Sequence, residues 1–280
     1  MKIIKRIACA VILAVMMISG ISFSSVSALA DAKTEAQTQH FPKAGSKVKK
    51  DDRLTVDHSH MDQGYVMVKA KKTDKRMQLI VKHGSDSLHY DINAKGKYEI
   101  IPLQFGSGKY TFTLMIVQKK GGRECNCAGN ITLKCRMKDE SSCFLYPNQY
   151  VNYDAESPFV EKAGELCKGL TKPKDIARAV CKYVLADFKY DHRKELSIKV
   201  KKTKNLLPDI ETTWKTKKGV CNDLSALTCA MLRSQGIPAK LAIGRADGSY
   251  HAWVVIIIDG KTKRFDPSFS ARSYKAERYY

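Results

Sequence analysis

The feature that most restricts the fold is a change of apolar period along the chain. From Leu54 to about Met137, apolar side chains recur at every second residue. Val66, Val68 and Ala70 alternate with Tyr65, Met67 and Lys69, and Met77, Leu79 and Val81 alternate with Gln78, Ile80 and Lys82. Tyr110, Phe112, Leu114 and Ile116 make a third stripe. A period of two belongs to strands with one buried face. Turn clusters such as Gly84-Ser85-Asp86 and Gly106-Ser107-Gly108 break these runs at short, even intervals. The pattern predicts an antiparallel sandwich-like domain of about six or seven strands over residues 54–145.

Past Leu145-Tyr146-Pro147-Asn148 the period lengthens. Ser157-Pro158 opens a helical stretch to about Lys168, and Thr171 stands where it would cap a second, with Pro173 in its first turn. Ile176, Ala177, Val180, Cys181, Val184 and Phe188 then fall on one helical face. The basic segment with Lys199, Lys201, Lys202 and Lys204 reads as a loop. A third helix starts near Cys221 and stops at Ser234-Gln235-Gly236-Ile237-Pro238, a Gly stop followed by Pro. Strands over 240–245, 250–258 and 263–266 follow, divided by Asp247-Gly248 and Asp259-Gly260. The fold class expected is α+β: an N-terminal all-β sandwich-like domain, then an α+β domain over 146–280.

The chain begins with Lys2, Lys5 and Arg6, an apolar stretch from Ile7 to Phe23, and Ala28-Leu29-Ala30. That order is the layout of a secretory signal peptide over 1–30, with an uncleaved anchor the other reading. Residues 31–53 read as a polar linker. The protein is therefore expected to be secreted, extracellular or cell-wall associated, meeting the membrane only during export.

Charge narrows the partners. Lys and Arg number 49 against 28 acids, a net +21, yet 44% of residues are hydrophobic, so the chain is globular rather than disordered. Lysine runs at 47–50, 69–72, 199–204 and 215–218 lack interleaved stacking aromatics or a known motif, which argues against nucleic acid. In an exported protein the natural counter-charge is an anionic cell-envelope polymer, the alternative being a merely solvated surface.

Nine cysteines raise the question of disulfides. A hairpin through Ala128-Gly129-Asn130 would set Cys125 opposite Cys135, so a bridge is expected there, with free thiols or a metal among Cys125, Cys127, Cys135 and Cys143 as the alternatives. Cys167 and Cys181 fall on predicted helices and read as buried thiols. His58-Ser59-His60 reads as solvated rather than metal-binding, and no cofactor is implied anywhere.

Three segments carry chemistry. Gly219-Val220-Cys221-Asn222-Asp223 sets a cysteine at a helix start, His251-Ala252-Trp253 opens a strand, and Asp266-Pro267 closes the next. The thiolate is the reactive form of cysteine, and a helix N-terminus beside an imidazolium favours it. Gly219 would let the chain turn sharply into the helix. His251 would take the thiol proton and return one to a leaving amine, and Asp266 would hold the other ring nitrogen. A hairpin turning at Asp259-Gly260 places residues 251 and 266 side by side.

These segments resemble the transglutaminase-like superfamily of thiol enzymes, whose core matches papain-like cysteine proteinases in roles. Gly219, Cys221 and Asp223, then His251-Ala252-Trp253, then Asp266-Pro267 meet its pattern, and the helix text Ala230 to Ala239 is also similar. The resemblance covers about residues 150–280. It implies a Cys221, His251, Asp266 triad acting on amide bonds of protein or peptide substrates through a thioester, by hydrolysis or transamidation. Lys263-Arg264 stands where many relatives have Trp, and no upstream oxyanion donor matches. Trp214 is not assigned that role, leaving the Cys221 backbone N–H as donor. The rival reading is a non-catalytic cell-envelope binding or scaffold protein with a vestigial triad.

Overall fold

A computed structural model describes residues 41–118, 124–201, 206–268 and 271–280. The export signal expected at 1–30 and the beginning of the linker lie outside the described residues. Among the described residues, eight strands occupy the first half: β1 (Val48–Asp51), β2 (Leu54–Asp57), β3 (Tyr65–Ala70), β4 (Met77–His83), β5 (Asp86–Ile92), β6 (Glu99–Pro102), β7 (Gly108–Val117) and β8 (Cys125–Cys135). They form two antiparallel four-stranded sheets, ordered β1-β2-β3-β6 and β5-β4-β7-β8. The period of two becomes the core: Val66 and Val68, Met77, Leu79 and Val81, and Tyr110, Phe112 and Leu114 are all buried in one apolar cluster. Burying each such side chain contributes about 1.5–3 kcal/mol before the entropy of ordering it.

Two sequence expectations change here. The last part of the polar tract is not linker but β1, paired with β2 from Val48 opposite Asp57 to Asp51 opposite Leu54. All four β1 residues are exposed, so this lysine-bearing edge strand buries no face that alternation could reveal. The hairpin expected at 128–130 is absent, because β8 runs unbroken from Cys125 to Cys135. Gly129 lies inside it at φ 146°, where a Cβ would stand 2.6 Å from the Asp51 carbonyl oxygen. Ten residue steps of strand separate Cys125 from Cys135, roughly 34 Å, so they cannot bridge. Cys125, Cys127, Cys135 and Cys143 are all free thiols. Burial pushes the Cys135 and Cys143 thiols up to about 11 and about 12, which keeps them protonated and inert.

The second half is α+β. Its helices are α1 (Pro158–Leu166), α2 (Pro173–Asp187), α3 (His192–Lys201), α4 (Ile210–Thr216) and α5 (Cys221–Ser234). Pro158 and Pro173 each sit in a first turn, but the residue before α2 is Lys172, not Thr171, and it makes no side-chain cap. A two-residue parallel pair, β9 (Lys189–Tyr190) with β10 (Lys218–Gly219), precedes α5. The closing antiparallel sheet has β11 (Ala239–Ala246), β12 (Ser249–Ile258), β13 (Lys261–Phe265) and β14 (Tyr274–Tyr279), ordered β13-β12-β11-β14. The basic stretch read as a loop is helical to Lys201. None of α3 is buried, so it shows no apolar stripe, and the Glu195–Lys199 pair supports it from outside.

Helix α5 is the centre of this half. All 14 of its residues are buried, with α1, α2 and α4 on its sides and β11 and β12 beneath. Two of its polar residues bond inside: Ser225 donates to the Ala252 carbonyl at 3.2 Å and Thr228 to Leu224 at 2.8 Å. Among the described residues, no helix is long and apolar enough to cross a membrane.

One glycine holds the sheet together. A Cβ on Gly244 would lie 2.1 Å from the Lys275 carbonyl oxygen and 2.9 Å from Ala276 Cα, both backbone atoms of β14. Gly244→Ala is therefore expected to push β14 off β11 and cost about 1–3 kcal/mol. The urea midpoint should fall accordingly, and an unchanged midpoint would show that the close approach does not exist.

Candidate active site

The site begins at the N-terminus of α5. Val220 precedes the helix in extended conformation, and its N–H donates to Asp223 Oδ2 at 3.0 Å. Asp223 is fully buried, and it also accepts the Asp209 N–H at 2.9 Å and the Lys194 ammonium at 2.6 Å. This first-turn acid thus ties three segments to the helix start rather than only facing its dipole. Gly219 does not adopt a left-handed turn. It is glycine because a Cβ would meet Asp223 Cβ and Thr213 Oγ1, each at 2.9 Å. Pairing of Gly219 with Tyr190 brings that phenol to the mouth of the helix.

Cys221 is buried at 8% exposure, and His251 on β12 is buried at 7%. The Ser225–Ala252 hydrogen bond joins α5 to β12 one turn beyond Cys221 and one residue beyond His251, which sets the spacing of the two side chains. The histidine hydrogen-bonds through Nε2 to Asp266 Oδ2 at 2.7 Å, and it lines the same cleft as Cys221. With Nε2 committed to the carboxylate, Nδ1 is the nitrogen left for the sulfur. The structure thus brings all three sequence-selected residues together.

The route differs slightly from the symmetric hairpin. Val254 pairs with Phe265, so by register Asp266 lies opposite Trp253, and His251 reaches it along the diagonal on the same sheet face. His251 is also not the first residue of its strand, which starts at Ser249.

Asp266 is held from every side. Its Oδ2 accepts the Tyr274 hydroxyl at 2.9 Å as well as the histidine, and its Oδ1 accepts the Ser268 N–H at 3.0 Å and hydroxyl at 3.1 Å. Desolvation would raise this carboxyl, but the His251 and Ser268 hydrogen bonds outweigh it and hold it below 3.8. Burial likewise opposes the charged form of His251. Its hydrogen bond to Asp266, together with the nearby Cys221 side chain, prevails and raises the ring from 6.5 to about 9. Tyr274 is itself fixed by the Ala271 N–H at 3.0 Å, by the edge contact of Trp253 at 5.1 Å and by Arg264 over its ring at 3.9 Å. Sequence reading missed both supports. Ser268, two residues after an aspartate, carries the signature of an Asx turn, but nothing local marks Tyr274.

A cleft of about 570 Å³ opens at Cys221, lined among others by Tyr190, Ile198, Leu206, Val220, Tyr250 and Arg278. A second arm of about 400 Å³ shares Cys221 and Tyr250 and continues past His251 to Asp247 and Ser268. Trp214 lies away from both, packed on Phe159, Tyr183 and Phe188 with Lys217 Nζ 3.6 Å from its ring centre. Among the described residues no cluster could hold a metal ion, and His60 stacks on Tyr65 at 5.2 Å.

A helix-borne cysteine beside a strand-borne histidine, on a layered α+β frame, is the architecture of thiol-enzyme domains. Residues 161–267 match the model of the transglutaminase-like superfamily. Two solved structures are similar. The "putative cysteine protease" from Cytophaga hutchinsonii is 16% identical, with a TM-score of 0.38, over 72% of this chain and 70% of that one. The periplasmic domain of TgpA from Pseudomonas aeruginosa is 13% identical, with a TM-score of 0.34, over 79% and 72%. No curated protein matches the chain.

Proposed function

We propose that this protein is an exported thiol enzyme that opens amide bonds of protein or peptide substrates, with Cys221 as nucleophile, His251 as general acid and base, and Asp266 as the group that orients the ring. The observation that carries the reading is the bonding of His251, with Nε2 at 2.7 Å from Asp266 Oδ2, beside the cysteine at the start of α5 in one cleft. Cys221 Sγ attacks the amide carbonyl carbon. The oxyanion takes the Cys221 backbone N–H, one of the unpaired donors of a helix start. The C–N bond then breaks, and the amine leaves with the proton that His251 Nδ1 held, giving a thioester. Water attacks next, losing its proton to His251, and the C–S bond breaks to release a carboxylic acid. A lysine amine in place of water gives a crosslink by the same steps.

Support for export comes from the order of features over 1–30, and support for an anionic envelope polymer as partner from the net charge of +21. The chemical reading is tested by labelling with iodoacetamide at neutral pH and by following amide turnover against pH. Cys221 should label faster than an ordinary exposed thiol, and His251→Ala should remove the advantage. The ring gains its proton in the folded state, so its stabilising contribution is complete below about 6.5 and lost as pH rises through about 9. Amide turnover should therefore fall on the alkaline side with an apparent value near 9, because a neutral ring no longer protonates the leaving amine. Labelling indifferent to His251→Ala would overturn the reading.

A further inference from the structure

Three charged side chains beside Cys221 line its cleft: Glu195, Lys199 and Arg278. The first two neutralise each other, with Lys199 Nζ 2.7 Å from Glu195 Oε1. Arg278, half-buried on β14, makes no ion pair among the described residues, and its neighbour Glu277 faces Arg245 at 3.5 Å. The same guanidinium lines an adjoining cavity of about 380 Å³ between Tyr150 and the end of β5. There, too, the other charge is already matched: Arg76 grips both carboxylate oxygens of Asp91, at 2.7 and 3.0 Å. The main-chain oxygen of Tyr280 is taken by Arg233 at 2.6 Å. Arg278 thus lines both cavities as a charge with no ion pair among the described residues.

The cleft has a direction. On the His251 side it carries Asp247, whose carboxylate accepts the N–H groups of Arg272 and Ser273 at 3.1 and 2.8 Å. A second carboxylate is repelled there and attracted on the Arg278 side. The cleft that Cys221 and Arg278 share is also lined by Tyr250 and Leu206, 59% and 38% exposed, which offer apolar surface to an extended chain.

We propose that Arg278 is the carboxylate-binding position of the substrate groove, taking an acidic side chain or the free carboxylate of a peptide whose reacting amide lies at Cys221. The inference rests on the thiol-enzyme reading and adds a substrate class to it. Arginine suits the task, since its planar fork matches a carboxylate and stays charged at every working pH.

The test uses chloroacetyl peptides that alkylate Cys221, prepared as amides with Glu or Gln at successive positions, and one all-Gln peptide as the free acid. One Glu position should inactivate the wild type roughly tenfold faster than its Gln twin, the size of one charge-assisted hydrogen bond. A gain for the free acid instead would place the terminal carboxylate at Arg278. Arg278→Gln should erase the ratio, read as the Glu rate over the Gln rate within that variant and so independent of any change in its all-Gln amide rate. If that rate also falls, Arg278→Lys decides: part of the ratio retained supports the proposal, and none retained overturns it. Equal rates for Glu, Gln and free-acid peptides, with Cys221 still fast, overturn the Arg278 assignment alone. A Cys221 no faster than free cysteine towards every peptide overturns the thiol-enzyme reading, and this proposal with it.

Discussion

Cys221→Ala is expected to abolish amide turnover outright, with the urea midpoint nearly unchanged, because the substitution removes one sulfur at the edge of a cleft. Mass analysis of peptide libraries carrying glutamine and free amines should show products with the wild type and none with the variant. Cleaved chains would mark a peptidase, ammonia without crosslinks a deamidase, and crosslinks a transamidase. Asp266→Asn should lower kcat by roughly 10²- to 10⁴-fold, the span of general acid–base catalysis and of tautomer control by a buried carboxylate. Asparagine presents an N–H₂ or a neutral oxygen to Nε2, so the ring loses the charge that holds its proton. The KM should stay near the wild-type value, since Asp266 lies behind His251 and not in the cleft. Turnover by Cys221→Ala equal to the wild type would end the enzyme reading.

The largest stability loss is expected from Arg233→Ala. Arg233 is fully buried at the end of α5 and donates Nε to Ala239, Nη1 to Tyr146 and Nη2 to Tyr280, at 2.8, 2.8 and 2.6 Å. One side chain therefore satisfies carbonyls from the junction before α1, from β11 and from the residue after β14. Removing it strands three acceptors in the interior and opens a cavity, for a combined cost of about 3–5 kcal/mol. That cost corresponds to a drop of roughly 10 °C in Tm for a chain this size. Arg233→Lys should recover only a fraction, because an ammonium lacks the fork that spans the three oxygens. A Tm within about 2 °C of wild type for Arg233→Ala would show that water replaces the guanidinium.

Much of the fold could be read in the sequence, for reasons particular to each element. The stripes of β3, β4 and β7 are visible because one face of each is buried and the other is not. The bounds of α5 are visible through Gly236 and Pro238 after it and the cysteine segment before it. Its burial is not visible, because Asn222, Asp223, Ser225, Thr228, Arg233 and Ser234 look like a wet face until their partners are known. β1 and α3 were misread for the opposite reason: they bury nothing, so no periodicity records them. The unbridged Cys125 and Cys135 belong with these, since the supposed 128–130 turn is the interior of β8.

The sequence by itself determined the period change that separates strands from helices, and the order of cysteine, histidine and aspartate along the second half. Both are local matters, written in the spacing of apolar residues and in short segments that need particular residue types. Only the tertiary structure decided what surrounds them. Tyr274 reaches Asp266, Arg278 lines the cleft beside Cys221, and Arg233 gathers three distant carbonyls, though none of these meetings is fixed by sequence distance. Each depends on β14 lying against β11, a long-range pairing that the bare backbone of Gly244 permits and a single added methyl group would obstruct.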